Sequence, residues 1–161
     1  MERTMNENDF IVSKTDLKGK ITYCNRIFIE MAEYSEEELL GAPHNMIRHP
    51  KMPKAVFQLL WDRIQKKEEV FAFVLNQTKN KNEYWVFANV TASLDVKGNI
   101  IGYYSVRRKP NTKALEIIKP LYAKMLEAEK SGGTTASSKI LTDVLKEKGV
   151  EYNELIISIQ E

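Results

Sequence analysis

Residues 69–108 read EVFAFVLNQTKNKNEYWVFANVTASLDVKGNIIGYYSVRR. This stretch decides the fold. It holds three runs rich in valine, phenylalanine, tyrosine, tryptophan and threonine, the residue types that favour a pleated, half-buried surface. Short polar turns separate them: Lys79-Asn80-Lys81-Asn82, then Val96–Asn99 with Gly98 inside it. Asparagine and glycine tolerate the backbone angles that tight turns need. The pattern predicts strands over Glu69–Gln77, Glu83–Asp95 and Asn99–Arg108, joined as an antiparallel meander. No helix separates them, so a doubly wound parallel sheet is excluded.

Working outward toward the N-terminus, FIVSKTD (10–16) and Lys20–Tyr23 read as a strand hairpin about the turn Asp16-Leu17-Lys18-Gly19. Asn25 is placed to cap a short helix over Arg26–Ala32. Ser35 with Glu38 is a capping box for a further helical turn, and Gly41 ends it. GAPHNMIRHPKMP (41–53) carries three of the five prolines and both histidines. Irregular segments of this kind often carry binding residues. From Lys54 to Lys67, Val56, Phe57, Leu60, Trp61 and Ile64 recur at helical spacing.

Beyond Arg108 the character changes. Pro110 and Asn111 break the last strand. Ala114–Lys130 reads as a helix that Pro120 starts or kinks. SGGTTASS (131–138) reads as a flexible linker. Ile140, Leu141, Val144 and Leu145 form a second apolar stripe stopped by Gly149, and Tyr152, Leu155, Ile156 and Ile159 form a third. The chain thus divides into an N-terminal cap (1–9), a central domain (10–110) and a C-terminal helical extension (111–161).

Composition narrows the function. The apolar fraction is 43%, which is globular. Charged residues make up 29% but nearly cancel to +2, so nothing draws the chain to nucleic acid. No apolar run approaches the roughly 20 residues of a membrane span. The first ten residues carry four charges and no signal-peptide pattern. The expected location is the cytoplasm, with any membrane association made through a partner. Cys24 is the only cysteine and there are two histidines, so a closed zinc site is not expected.

Three stretches now read together: TDLKGKITYCNRIFIEMAEYSEEELLGAPHNMIRHPKMP (15–53), NQTKNKNEYWVFANVT (76–91) and GNIIGYYSVRRKP (98–110). They resemble the PAS domain of bacterial aerotaxis receptors, including small stand-alone PAS proteins that pair with a separate transducer. The pattern D-x-x-G-x-I-x-Y-x-N followed by G-x-P-H-N-x-x-R-H-P carries the resemblance. It implies an α+β PAS fold: a five-stranded antiparallel sheet with short helices and one longer helix on one face. It also implies FAD held noncovalently between sheet and helices, and redox or oxygen sensing for energy taxis. The implied partner is a methyl-accepting chemotaxis transducer on a separate chain, with a homodimer also open. The implied role is sensory, not enzymatic. Two positions depart from the family: Lys51 stands where aspartate is usual, and Val70 where tryptophan is usual.

A flavin needs an apolar slot, donors for its polar edge and cations for its diphosphate. Arg48 offers a fork for phosphate oxygens, and His49 a donor whose charge depends on pH. His44 and Asn45 precede them and are candidates to line the pocket. On the second meander strand, alternation puts Trp85 and Asn89 on one face, where one can stack and the other hydrogen-bond. Asn76, at the end of the preceding strand, is a candidate for the same site. Plainer readings stand beside these. Arg48 could pair with Glu37, His49 and His44 could be structural, and Trp85 and Trp61 could be core. Three other functions compete: a cofactor-free interaction module, a haem gas sensor using His44 or His49, and a flavoenzyme. The last lacks a dinucleotide fingerprint and a nucleophile–base pair.

Overall fold

The structure, a computed structural model, describes residues 1–161. Its elements are β1 (Glu2–Arg3), β2 (Phe10–Thr15), β3 (Ile21–Cys24), α1 (Arg26–Ala32), α2 (Glu36–Leu39), a 3-10 turn (His44–Ile47), α3 (Lys54–Gln65), β4 (Val70–Gln77), β5 (Glu83–Leu94), β6 (Ile100–Arg108), α4 (Thr112–Lys148) and α5 (Tyr152–Gln160). The fold is α+β.

Two turns of the same design set the sheet. Asp16 Oδ1 accepts from the N–H groups of Lys18 and Lys20, and Asp95 Oδ1 from those of Lys97 and Asn99. Each D-x-x-G turn then closes through a glycine at positive φ, Gly19 or Gly98. The resulting order is β4-β5-β6-β2-β3, antiparallel throughout. β1 adds a two-residue parallel strand beside the start of β5. The five expected strands are thus joined by a sixth from the N-terminal segment, and Met5 is buried in the same core. Gly102 lets β6 approach β2: a Cβ there would lie 2.3 Å from the Thr15 carbonyl oxygen.

Caps attach the short helices. Asn25 Oδ1 accepts from Phe28 N–H at the start of α1 and from Val12 N–H on β2, while Nδ2 donates to the Phe10 carbonyl. The Ser35–Glu38 capping box forms. Phe28, Phe73, Ile11 and Leu39 are fully buried beneath these helices and around the sheet. Each such burial contributes about 1.5–3 kcal/mol.

The tail folds back onto the sheet. Tyr122 on α4 packs against Trp85 with ring centroids 5.9 Å apart and donates its hydroxyl to the Phe73 carbonyl at 2.6 Å. Asn153 on α5 accepts from Phe71 N–H and donates to the Glu69 carbonyl. These side chains satisfy edge groups of β4 that a neighbouring strand would otherwise take. SGGTTASS is not the flexible linker expected from its composition. It is helical within α4, broken only at Gly133, whose φ of 65° and ψ of −159° are not helical. Tertiary contact overrides weak local propensity here, for Ser137 is fully buried and bonded to Glu129. No helix is long and apolar enough to cross a membrane.

Candidate functional site

The register defines two faces of the sheet. Residues paired across strands point the same way. Ala88 faces Arg107 and Val90 faces Ser105 across β5 and β6; Ser13 faces Ser105 across β2 and β6. Val74 and Asn76 on β4 join that face. It looks toward α3 and encloses, with α3 and the loop after α2, a cleft of about 350 Å³. Ligand cavities are commonly this size or larger. α3 contributes Phe57, Leu60, Trp61 and Ile64 to the wall. Trp61, plausible as core from its helical spacing, is 45% exposed at the rim and packs at 5.4 Å on Tyr103.

The polar end of the cleft is built around Arg107, which is 3% exposed. Its Nη2 donates to Ser13 Oγ at 2.5 Å and its Nη1 to His44 Nε2 at 3.2 Å. Its Nε has no partner, and it forms no salt bridge; its guanidinium lies 4.7 Å from the Phe28 ring centre. Burial pulls the Arg107 pKa down to about 10, which still leaves a cation at neutral pH. His44 Nε2 also meets Ser13 Oγ at 2.9 Å. Accepting from arginine requires Nε2 to be bare, so the hydrogen-bond pattern assigns the His44 proton to Nδ1. Burial first, and Arg107 second, hold the His44 pKa at about 3, so the ring is neutral. Burying a cation without an anion is costly. A ligand bringing negative charge or carbonyl oxygens to this end would offset that cost.

The loop candidates divide. Asn45, Arg48 and Asn76 line the cleft beside His44. A backbone bridge between Arg48 and Asn76 clips the loop to β4. Arg48 stacks 3.8 Å over Phe57 rather than pairing with Glu37, and burial lowers its pKa. His49 is buried and does not line this cleft. Its Nε2 lies 2.9 Å from the Glu83 carboxylate, and its Nδ1 accepts from Lys51 N–H. Both ring nitrogens are therefore engaged.

Trp85 and Asn89 do not line this cleft either. They share a face as alternation requires, but it is the outer face. Trp85 packs under Tyr122, and Asn89 Nδ2 donates to Glu69 Oε1 at 2.8 Å. Their neighbours Ala88 and Val90 face the cleft instead. Sequence reasoning missed Arg107 and Ser13. The signal was available: the alternation that groups Tyr103, Ser105 and Arg107 places a charge on a face with an aromatic and a serine.

No cluster of histidine, cysteine and acidic side chains converges to hold a metal. A curled sheet with short helices and one longer helix around a ligand-sized cleft is the architecture of a PAS-type signalling domain. The chain belongs to the PAS fold family, whose sequence profile matches residues 1–108. Within that family it is closely related to the PAS domains of bacterial aerotaxis receptors. It is 40% identical over 112 residues to the aerotaxis receptor of Escherichia coli (strain K12), covering 70% of this chain and 22% of that receptor. The chain therefore spans about a fifth of that relative's length. Among solved structures, it resembles a light-oxygen-voltage domain studied with a flavin analogue (TM-score 0.61, 22% identity, 68% of this chain and 84% of that one). It also resembles the dark form of the blue-light photoreceptor Aureochrome1 LOV domain (TM-score 0.61, 24% identity, 68% and 82%). At these identities the structural likeness establishes the fold.

Proposed function

We propose that this chain is a flavin-binding redox or oxygen sensor, with FAD as the cofactor, that signals to a methyl-accepting chemotaxis transducer on a separate chain. One observation carries the reading: a fully buried cation, Arg107, without an anion, at the polar end of a cleft whose α3 wall is apolar and aromatic. The residues present fit the group. Phe57, Leu60, Ile64 and Val90 supply an apolar slot; Asn45, Asn76 and Arg107 supply donors at its polar end; Arg48, nearer the loop, supplies a cation for phosphate. A bound flavin accepts and returns electrons, and its ring gains negative charge when reduced.

Arg107 answers that change. Its charge, held in a low-dielectric site, attracts an anion more strongly than the same charge in water. Ser13 and His44 hold the guanidinium in place, and neutral His44 adds no competing charge. A change of charge in the cleft alters the force on Arg107, and through it on β6 and β2. That is a population shift, limited by the ligand's differential affinity for the two states. The kinship with aerotaxis receptors supports a chemotaxis output. Residues 10–110 act as the sensing unit and 111–161 as its extension. The haem alternative is less well supported, because the ring nitrogens His44 Nε2, His49 Nε2 and His49 Nδ1 are already engaged.

An absorption spectrum of the purified protein, before and after anaerobic dithionite and after titration with FAD and FMN, tests the reading. Flavin bands that bleach on reduction, with FAD bound more tightly than FMN, support it. A protein that takes up neither flavin overturns it.

A further inference from the structure

The two turns that set the sheet share more than their hydrogen bonds. Each reads aspartate, aliphatic, lysine, glycine: Asp16-Leu17-Lys18-Gly19 and Asp95-Val96-Lys97-Gly98. The aspartate and the glycine are spent on the turn itself, one accepting backbone N–H groups and the other taking positive φ. The aliphatic residue and the lysine are left to solvent. The fold then sets both turns at one end of the sheet. Thr15, the last residue of β2, pairs with Tyr103 near the start of β6, and a Cβ on Gly102 would lie 3.7 Å from Asp16 Cα.

Four aliphatic side chains stand clear at that end. Leu17 is 53% exposed, Leu94 46% and Ile101 56%, and Val96 is fully exposed. Leu94 pairs with Ile100 where the β5–β6 hairpin closes. Exposed aliphatic residues scattered singly are ordinary. Here they are gathered, and two of them occupy the outermost part of a turn. Trp61 stands beside them on Tyr103.

The charge around these side chains has one sign. Lys18, Lys20 and Lys97 are exposed on the turns, and Lys67 reaches the second turn, its Nζ 3.9 Å from where a Cβ on Gly98 would stand. None of the four forms an ion pair. The acids nearby are Asp16 and Asp95, held by their turns, and Glu68 and Glu69, which lie back from the tips beside Val70, itself opposite Val90 on β5. Protruding aliphatic tips inside a ring of lysines match a surface that is anionic outside and apolar beneath. Lysine suits that boundary, because its stem lies along apolar matter while its ammonium stays in water.

We propose that this end of the sheet docks on an anionic lipid surface, with Leu17 and Val96 entering the acyl boundary and Lys18, Lys20, Lys67 and Lys97 meeting the headgroups. Two weak signals combine, as stable attachment to one leaflet requires. Each lysine near an anionic membrane is worth about fivefold in affinity. This is adhesion, not a span, and no helix here is long and apolar enough to cross a membrane. No partner chain is needed for it. Lys18, Gly19 and Trp61 also line the cleft, so docking sets the cleft beside the bilayer. The proposal goes beyond the flavin reading and does not depend on it.

Sedimentation of the full chain with vesicles tests this, using phosphatidylcholine alone and phosphatidylcholine with about 30% phosphatidylglycerol. Wild type should sediment with the mixed vesicles and stay in solution with the neutral ones. Its affinity should fall about tenfold or more as salt rises from about 0.1 M to about 0.5 M. The double variant Leu17→Asp, Val96→Asp changes two exposed side chains outside the cleft. Its circular dichroism and thermal unfolding should match wild type, while vesicle affinity falls about tenfold or more. Lys20→Glu with Lys97→Glu should lose about a hundredfold or more, since each reversal removes a cation and adds an anion. Emission from Val96→Trp should shift to the blue with the mixed vesicles. A folded wild type that ignores the mixed vesicles overturns the proposal. So does an aspartate double variant that binds them as wild type does. Sedimentation equilibrium without lipid covers the other occupant: a wild-type dimer that the aspartate variant loses assigns this end to a second copy and overturns the lipid reading. The flavin reading is decided separately by the absorption spectrum and stands or falls without these results.

Discussion

The guanidinium of Arg107 and the imidazole of His44 meet at 3.2 Å, and no carboxylate faces either. Ser13 bridges them. The pair is stable in this form only because histidine gives up its proton and serves as an acceptor. The arrangement keeps one net positive charge buried beside the cleft, where a ligand would meet it.

Replacing Arg107 with Met separates the two roles of that charge. The buried cation costs the empty protein desolvation energy, and an apolar side chain of similar length removes the cost. Arg107→Met should leave the ligand-free protein as stable as wild type or more so, by up to about 1–4 kcal/mol. Flavin affinity should fall at least tenfold, about 1.4 kcal/mol. Urea titration and flavin fluorescence measure the two. A variant that loses stability while keeping affinity would show that Arg107 is structural.

His44 sets a pH dependence with a definite sign. Its folded pKa, about 3, lies below its ordinary 6.5. The unfolded chain therefore binds a proton that the folded chain refuses. This contribution to stability is fully present above pH 6.5 and is lost as pH falls toward 3. Thermal unfolding between those limits should show a shallower slope for His44→Gln than for wild type. Parallel slopes would mean that His44 is protonated in the folded state.

The two faces of β5 give opposite outcomes. Trp85→Ala strips the outer face beneath Tyr122. It should cost about 2–3 kcal/mol, below the range for a fully buried Trp, because Trp85 is half-buried. Flavin affinity should stay within about twofold of wild type, roughly 0.4 kcal/mol. Ala88→Leu pushes methyl groups into the cleft at a packing cost of about 1–3 kcal/mol, and it should abolish flavin binding in a folded protein. Circular dichroism and flavin titration of both variants check the assignment; loss of flavin on Trp85→Ala alone would reverse it.

Gly133→Ala tests the bend in the tail. At φ 65° and ψ −159°, alanine is strained by about 1–3 kcal/mol. The loss should appear in the tail, as faster proteolysis of residues 131–150, with β5 and β6 unaffected. Equal resistance to wild type would mean that α4 runs through without the break.

Much of the fold was legible in the sequence because its signals are local. The D-x-x-G turns, the Asn25 cap and the Ser35–Glu38 box each close hydrogen bonds within a few residues. The three meander strands announce themselves by composition and turn spacing. Non-local partners were not legible. Nothing near His49 in the chain points to Glu83, 34 positions away, whose carboxylate meets it in the fold. SGGTTASS has the composition of a linker, yet the structure makes it helical on both sides of Gly133, with Ser137 buried and bonded to Glu129.

Sequence alone determined that Trp85 and Asn89 share one face of β5 and that Ala88 and Val90 share the other, since a strand's period of two allows nothing else. It also determined the strand order in the chain, the caps and the turns. Which face meets the cleft was decided only by tertiary structure. Alternation is symmetric between two buried faces, and here both are covered, one by α3 and the other by α4 and α5. The symmetry is broken by the packing of distant helices, which no local pattern records. The same packing put Arg107 inside without an anion and made Glu129 the cap of a helix 75 residues earlier in the chain.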